Sequence, residues 1–295
     1  MESVANSKDW AGKMRCLIVG HLVRDIIVKG SGIEHRIGGG AYYSAMALSR
    51  FCTVDILTSV GEDFPESWLE ELKKAGIVLH MIPAESSTSY RLHYLDGNTR
   101  ELSLLSVAGR ITDMPRGNYD IIILNPVAGE ITPETVALAK RRSNFVVADV
   151  QGFIRSPNPG RLKLTGVDGG IFNGLKVLHA DVSEAQLVRN IDPDRIEVLL
   201  ISRGADVGQA YLRGRKYAYT PARVAVEEST GAGDVFLASF AMFYHDCPFI
   251  QALKRASAFT ALFLQRRSFD FTMDEVNELA RRVTVERIND INLHE

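Results

Sequence analysis

Cysteine is scarce in this chain of 295 residues: Cys16, Cys52 and Cys247 lie far apart and share no C-x-x-C spacing, which excludes a disulfide framework and a structural zinc site. A reduced, cytosolic setting is the expectation. An excess of charge of one sign is also lacking. The 34 basic and 36 acidic side chains are mixed along the chain and leave a net charge of −2, so no footprint for nucleic acid or an anionic membrane is visible. No apolar run reaches the ~18 residues that a membrane span needs, and residues 1–13 are polar with no apolar segment of a signal peptide. Internal repeats, low-complexity tracts and Pro/Gly linkers are absent too, so nothing marks two independently folding halves. Without a G-x-x-x-x-G-K-[ST] run the P-loop reading fails. The histidines at 21, 35, 80, 93, 179, 245 and 294 have no H-E-x-x-H spacing, so a zinc hydrolase has no support.

What is present is a core and a rhythm. With 46% hydrophobic residues the chain can bury a substantial interior. From Met14 onward, short β-branched runs alternate with stretches of helical period: Cys16–Val19, Ala41–Phe51, Val54–Val60, Pro65–Ala75, Ile77–Ile82, Ile121–Leu124, Thr132–Arg141 and Phe145–Val150. The alternation predicts an α/β protein with a parallel sheet covered by helices on both faces. Two places break it. Ile26-Ile27-Val28 follows the first strand with no helix between, and Ser89–Leu95 and Arg100–Leu105 flank the turn signal Asp96-Gly97-Asn98-Thr99. These strands, near 22–37 and 88–106, are expected to form a small separate sheet over the active face; an ordinary decorating hairpin is the alternative. The last third is expected to be helical over Ala232–His245, Ile250–Leu264 and, behind Thr272 as N-cap, Met273–Val283. Residues 14–285 read as one α/β domain, 1–13 as a disordered leader or expression remnant, and 286–295 as a tail.

The run Glu228-Ser229-Thr230-Gly231-Ala232-Gly233-Asp234, followed by Val235-Phe236-Leu237-Ala238, places two glycines and a carboxylate where a buried helix begins. Small residues let successive N–H groups of Gly231, Ala232 and Gly233 face one anion, and the helix adds the positive end of its dipole. Asp234 is then placed to take a proton from an attacking hydroxyl. The competing reading is that Ser229 or Thr230 simply caps a core helix. A dinucleotide-binding site fits less well, because Phe236 stands where the third glycine of G-x-G-x-x-G belongs and Gly38-Gly39-Gly40 is not in a strand-to-helix fingerprint. The spacing of Phe236, Phe240, Phe243 and Tyr244 is that of a core helix face.

Three further groups carry chemistry. Asp25 is the candidate to accept substrate hydroxyls, against a solvated turn residue. Asp149-Val150-Gln151-Gly152-Phe153-Ile154-Arg155 ends an apolar strand at its carboxyl side, where open α/β sheets bind ligands; Gln151 and Arg155 are candidates for the acceptor, with a surface salt bridge the alternative for Arg155. His21 and His93 are candidates to touch substrate from the lid region, with ordinary solvated histidines as the default.

Taken in order, these segments resemble the ribokinase-like (PfkB) carbohydrate kinase family over nearly all of residues 15–282. Ser229-Thr230-Gly231-Ala232-Gly233-Asp234-Val235-Phe236 is similar to the family's second signature, an anion hole followed by the catalytic aspartate. Gly38-Gly39-Gly40-Ala41, with Ala45, Leu48 and Arg50, is similar to the first signature beside the sugar hydroxyls. Gly20 with Asp25 resembles its opening Gly-x(4)-Asp, and Val60-Gly61-Glu62-Asp63 its Val-Gly-x-Asp turn. Asp181-Val182-Ser183-Glu184-Ala185 resembles the Asn-x-x-Glu element of the magnesium–phosphate region. Ser202-Arg203-Gly204 with Gly208 resembles the strand and turn near the nucleotide, and Ser257 matches a position near the adenine.

The resemblance implies a three-layer α/β/α sandwich with a mainly parallel sheet and a small β lid. It further implies an ATP-dependent phosphotransferase with Asp234 as base, Mg²⁺ near Asp181 and Glu184, and Thr230, Ser202, Gly204, Gly208 and Ser257 on the nucleotide side. The acceptor would be a sugar, cyclitol or nucleoside held by Asp25, Gly38, Gly39, Tyr43, Gln151 and Arg155. Departures bear on substrate and ion. Tyr43 replaces a common Asn, and Glu228-Ser229 replaces Asp-Thr at a place that in several members supports a monovalent cation, so potassium activation is not carried over. Tyr43 and the Asp149-Val150-Gln151-Gly152 run favour an inositol-like polyol or a nucleoside over ribose. A silent sugar-binding protein of the same fold is the alternative, and a homodimer through the lid strands is a further expectation.

Overall fold

The computed structural model describes residues 14–96 and 99–288, so the expected leader, most of the tail and the tip of the 96–99 turn lie outside the described residues. In chain order the elements begin β1 (Arg15–Val19), β2 (Val23–Lys29), β3 (Gly32–Gly38), α1 (Gly40–Leu48), β4 (Thr53–Val60), α2 (Glu66–Lys74), β5 (Val78–Pro83), β6 (Thr88–Asp96) and β7 (Thr99–Ser106). Next come β8 (Ile121–Leu124), α3 (Pro133–Arg142), β9 (Val146–Asp149), β10 (Gly160–Arg161), β11 (Val167–Asp168), β12 (Val177–Asp181), α4 (Val182–Ala185), β13 (Val188–Arg189) and β14 (Val198–Ser202). The chain continues through β15 (Gly208–Leu212), β16 (Arg215–Thr220), α5 (Ala232–Asp246), α6 (Phe249–Arg266), α7 (Met273–Ala280) and β17 (Thr284–Arg287).

Ten strands form the central sheet in the order β17-β16-β15-β14-β12-β9-β8-β1-β4-β5. The run from β14 to β5 is parallel, and β15, β16 and β17 add an antiparallel edge. Both faces of the parallel part are buried, which is why its strands read as unbroken apolar runs. Ile121 and Ile123 of β8 enter a core with α1, α5, α6 and α7, whereas Ile122 and Leu124 enter a second core with Val136 and Ala139 of α3. Helix α5 is buried from Val235 through Phe243, so it is apolar on all sides and lies inside the molecule. Thr272 caps α7 in a reciprocal box with Glu275, and the helix stops at Ala280, three residues short of the sequence expectation.

The strands outside the rhythm form a separate five-stranded sheet, β10-β7-β6-β2-β3. Two antiparallel pairs, β2–β3 and β6–β7, are joined by a parallel β2–β6 ladder, and the short β10 extends β7. Its inner face, with Val23, Ile27, Tyr90, Leu92 and Leu104, packs on Val127 and Ala128 beyond the end of β8. The sheet therefore covers the carboxyl end of the parallel strands. Among the described residues no helix is long and apolar enough to cross a membrane.

Candidate active site

A cleft of about 310 Å³ opens at the carboxyl ends of the parallel strands, under the five-stranded sheet. Parallel strands deliver side chains to it from their ends: Asp149 from β9, His179 and Asp181 from β12, and Ser202 from β14. Asp25 of β2 and Tyr90 of β6 come from above, and Gly231 through Asp234 form its wall at the start of α5.

Gly231 is the N-cap of α5 with φ 82°, a left-handed conformation that disfavours a side chain, and a Cβ there would meet the Tyr43 ring at 2.5 Å. Neither Ser229 nor Thr230 caps the helix. Among the described residues no side chain does, so the first-turn N–H groups of Gly233 and Asp234, which have no intrahelical acceptor, are left for an anion. The Ala232 N–H is partly committed, donating to Ser229 O at 3.1 Å, which narrows the expected anion hole toward Gly233. At Gly233 a Cβ would come within 3.1 Å of the His179 ring.

Asp234 sits in this wall with its carboxyl pushed up to about 7, first by burial and then by repulsion from Asp149, against an opposing hydrogen bond from Asn125. A carboxyl tuned to neutrality suits a general base. His179, which the sequence reading passed over, joins two of these groups: Nδ1 lies 2.6 Å from Asp149 Oδ2 and Nε2 lies 3.1 Å from Ser202 Oγ. Burial pulls its pKa down, but attraction to Asp149 and the bond between them outweigh that, and the net shift is upward. The signal in the sequence was a single polar residue inside the apolar run Val177–Ala180. Asn125 was missed as well. It follows the Ile121–Leu124 run directly and donates to Ser44 Oγ at 3.0 Å, which in turn donates to Asp234 O at 3.3 Å.

Elsewhere in this cleft, Arg155 Nη2 donates to Gln151 Oε1 at 2.7 Å and its guanidinium lies 5.7 Å from the Tyr90 ring centre, so it lines the cleft and the surface salt-bridge alternative fails. Asp25 stands mid-strand in β2, half-buried, and is not a turn residue. Gly38 does not line the cleft; it makes room for Asp25, whose Oδ2 lies 2.0 Å from where a Cβ would stand. Gly39 does line it. Tyr43 is only 6% exposed, its ring packed under Gly231 and edge-on to Phe263, so it shapes the floor more than it offers a face to a ligand. His21 is fully buried, bonded to Thr88 Oγ1 and Gly109 O, which overturns the solvated default; His93 is exposed. Asp63 accepts from the N–H and hydroxyl of Ser87, tying its turn to the start of β6.

A second cleft, about 450 Å³, meets the first at Ser202, Gly204, Ser229, Ala232 and Gly233. Its walls are mostly apolar: Tyr219, Pro221, Ala222, Val224, Val226, Phe236, Ala261 and Leu264, with Ser257 among them. Gly208 lies elsewhere, pressed against the Tyr219 ring behind this wall. Phe236, expected only in the core, serves both core and cleft. Asp181 and Glu184 line the first cleft and cap α4 reciprocally: Asp181 Oδ1 accepts from the Ser183 N–H, and Glu184 Oε2 from the Asp181 N–H.

No family model matches the chain. An inositol 3-kinase of Arabidopsis thaliana is 27% identical over 239 residues, covering 76% of this chain and 66% of the relative. The chain thus spans just under two thirds of the length of the curated relative. Among solved structures, a pyrophosphate-dependent kinase in the ribokinase family, complexed with a pyrophosphate analog and myo-inositol, superposes with TM-score 0.74 at 21% identity, covering 89% of this chain and 99% of that one. A ribokinase from Thermotoga maritima gives TM-score 0.71 at 16% identity over 91% of this chain and all of its own. With its mainly parallel sheet, its covering β-sheet and its glycine-capped α5, the chain is, by fold, a ribokinase-like protein.

Proposed function

We propose that the protein is a kinase that transfers the γ-phosphoryl group of ATP to a hydroxyl of a small polyhydroxylated acceptor, with a cyclitol of the inositol type ahead of sugars and nucleosides. The observation that carries this reading is Asp234, raised toward neutrality, at the N-terminus of α5, which has no side-chain cap, where a polar cleft and an apolar cleft meet. The cyclitol preference is supported by the similarity to a protein named inositol 3-kinase and by acceptor-side groups, Asp25, Gln151 and Arg155, that suit a ring of hydroxyls.

In this reading Asp25 and the Arg155–Gln151 pair hold acceptor hydroxyls, and one hydroxyl lies at Asp234, which accepts its proton as the oxygen attacks phosphorus. The N–H groups of Gly233 and Asp234, with the helix dipole, stabilise the equatorial oxygens during transfer, and the apolar cleft takes the base of the nucleotide. Lid residues Tyr90, Leu92 and Leu102 keep water from the transferred group. Magnesium fits the carboxylates present: Asp181 and Glu184 line the cleft together, and the repulsion from Asp149 that adds to burial in pushing the Glu184 carboxyl up is one that a divalent cation with phosphate ligands would offset. When bound, Mg²⁺ would neutralise the donor phosphates.

Product formation with ATP and Mg²⁺ is measured for myo-inositol, ribose and a nucleoside, with pyrophosphate as the alternative donor because one similar structure is named pyrophosphate-dependent. Transfer from ATP to myo-inositol supports the proposal; binding without transfer in every combination points to a silent binding protein. Pairing of two copies through the open β3 edge, where Ile33 is 67% exposed, is a separate proposal that sedimentation of wild type and Ile33→Lys would test.

A further inference from the structure

One side chain holds the loop that leads into α5 from behind. Arg267 is the C-cap of α6, in the left-handed region at φ 51°, and its Nη1 donates to two carbonyls of the loop, Glu228 O at 3.2 Å and Thr230 O at 3.0 Å. The guanidinium lies 4.7 Å from the centre of the Phe263 ring, which itself stacks on Phe269, so aromatic contact fixes the cation where it stands. The Glu228 carboxylate has another partner. Both its oxygens accept from Arg36 of β3 at 3.0 and 3.1 Å; burial would raise this carboxyl, but those bonds hold it below the usual range.

We infer that Arg267 is a tethered cation filling the carbonyl site behind the anion hole, so that phosphoryl transfer needs no dissolved monovalent cation there. The inference rests on the kinase reading for its catalytic consequence but not for the site itself. Two backbone carbonyls that converge on one point attract a cation, and here a guanidinium already occupies that point. The residues therefore do not fit the monovalent ion that the resemblance raised at Glu228-Ser229.

The consequence for the loop follows from peptide geometry. In a trans peptide the C=O and N–H point in opposite directions. Drawing the carbonyls of residues 228 and 230 toward Arg267 turns the N–H groups of Ser229 and Gly231 the other way, toward the cleft that both residues line. Arg267 lines neither the acceptor cleft nor the apolar one, so it is a positioning residue that acts through the loop. The same loop is tied to the β-sheet above the cleft through Arg36 and Glu228, which gives the longer Glu side chain a purpose at a position where the family has Asp.

The test compares wild type with Arg267→Gly, which tolerates the positive φ while removing the cation. Wild-type rates in potassium, sodium and tetramethylammonium chloride at equal ionic strength should agree within about twofold, since surface screening is then matched. Arg267→Gly should lose roughly 10- to 100-fold in kcat with little change in either KM, the size expected for misaligned groups. Millimolar potassium or guanidinium should restore part of that loss. An arm independent of activity is melting temperature: the same ions should stabilise Arg267→Gly by mass action, tetramethylammonium should not, and wild type should respond to none. The inference is overturned by potassium acceleration of the wild type of about fivefold or more, by unchanged kcat in Arg267→Gly, or by its melting without ion selectivity. If the wild type transfers phosphoryl to no acceptor, the kinase reading fails, and the melting arm alone decides whether Arg267 fills a cation site.

Discussion

The two clefts that meet at Ala232 and Gly233 are built by opposite strategies. The polar cleft, about 310 Å³, gathers Asp25, Asp149, Arg155, His179, Glu184 and Asp234, groups up to 209 positions apart in the chain. The apolar cleft, about 450 Å³, is lined by residues 202–264 and, among the described residues, holds only Asp206 and Arg223 as charged groups. A charged cleft discriminates by hydrogen bonds that a wrong ligand leaves unmade, whereas an apolar slot discriminates by shape and area. Mutations should therefore have steep effects on one side and shallow effects on the other.

The largest effect is expected at the junction. Asp234→Asn should cost roughly 10²–10⁴ in kcat with nucleotide affinity retained, measured by steady-state rates alongside calorimetric binding. Full turnover in this variant would remove the base from the comparison. With Asp234 as the proposed base, which must be deprotonated to act, wild-type kcat should rise with pH through about 7. Stability should run the other way. A carboxyl raised in the folded state favours folding below its unfolded pKa and loses that contribution as pH rises through about 7. Asp234→Asn should thus melt higher than wild type at pH 8 and equal to it near pH 4.

Next in size, Asp25→Asn should raise the acceptor KM roughly 10- to 100-fold and leave the ATP KM alone, as the loss of a charge-assisted hydrogen bond predicts. Equal changes in both would show that the clefts are not separable. His179→Gln should lower kcat about tenfold, because the imidazole beneath Gly233 links Asp149 to Ser202 and, in the kinase reading, offsets negative charge on the transferred phosphoryl. A wild-type pH profile in that variant, with kcat unchanged, would assign His179 to packing. The smallest effect belongs to the apolar cleft. Val226, 44% exposed on its rim, should when changed to Ala raise the ATP KM only about two- to fourfold, on the scale of one or two partly buried methylenes, with the acceptor KM unmoved. If pyrophosphate is the donor, Val226→Ala should change nothing, which makes this weak effect the sharpest on donor identity.

The same contrast separates what was legible from what was not. The run Ile121–Leu124 has the bounds expected for β8, and α5 starts where Gly231 and Gly233 said it would, because period and glycine placement act over a few residues. The groups Asp234, Asp25, Gln151 and Arg155 were named from motif and strand-end position, and all four line one cleft. His179 and Asn125 escaped because each belongs to an apolar strand or its end, and only register across β8, β9 and β12 brings them to Asp149 and Asp234. Gly38 and Gly208 were placed on ligands, but tertiary contact assigns them to Asp25 and Tyr219.

Sequence by itself determined the alternation of strands and helices, the lid segments and the glycine-bounded start of α5, since periodicity, turn chemistry and backbone freedom are local properties of the chain. Tertiary structure alone decided that Arg267 takes the carbonyls of Glu228 and Thr230, that Arg36 takes the Glu228 carboxylate, and that Asp149 and burial raise Asp234. Those outcomes depend on which charges folding brings within a few ångströms and on how much water it removes from them, and neither quantity is written in the order of residues.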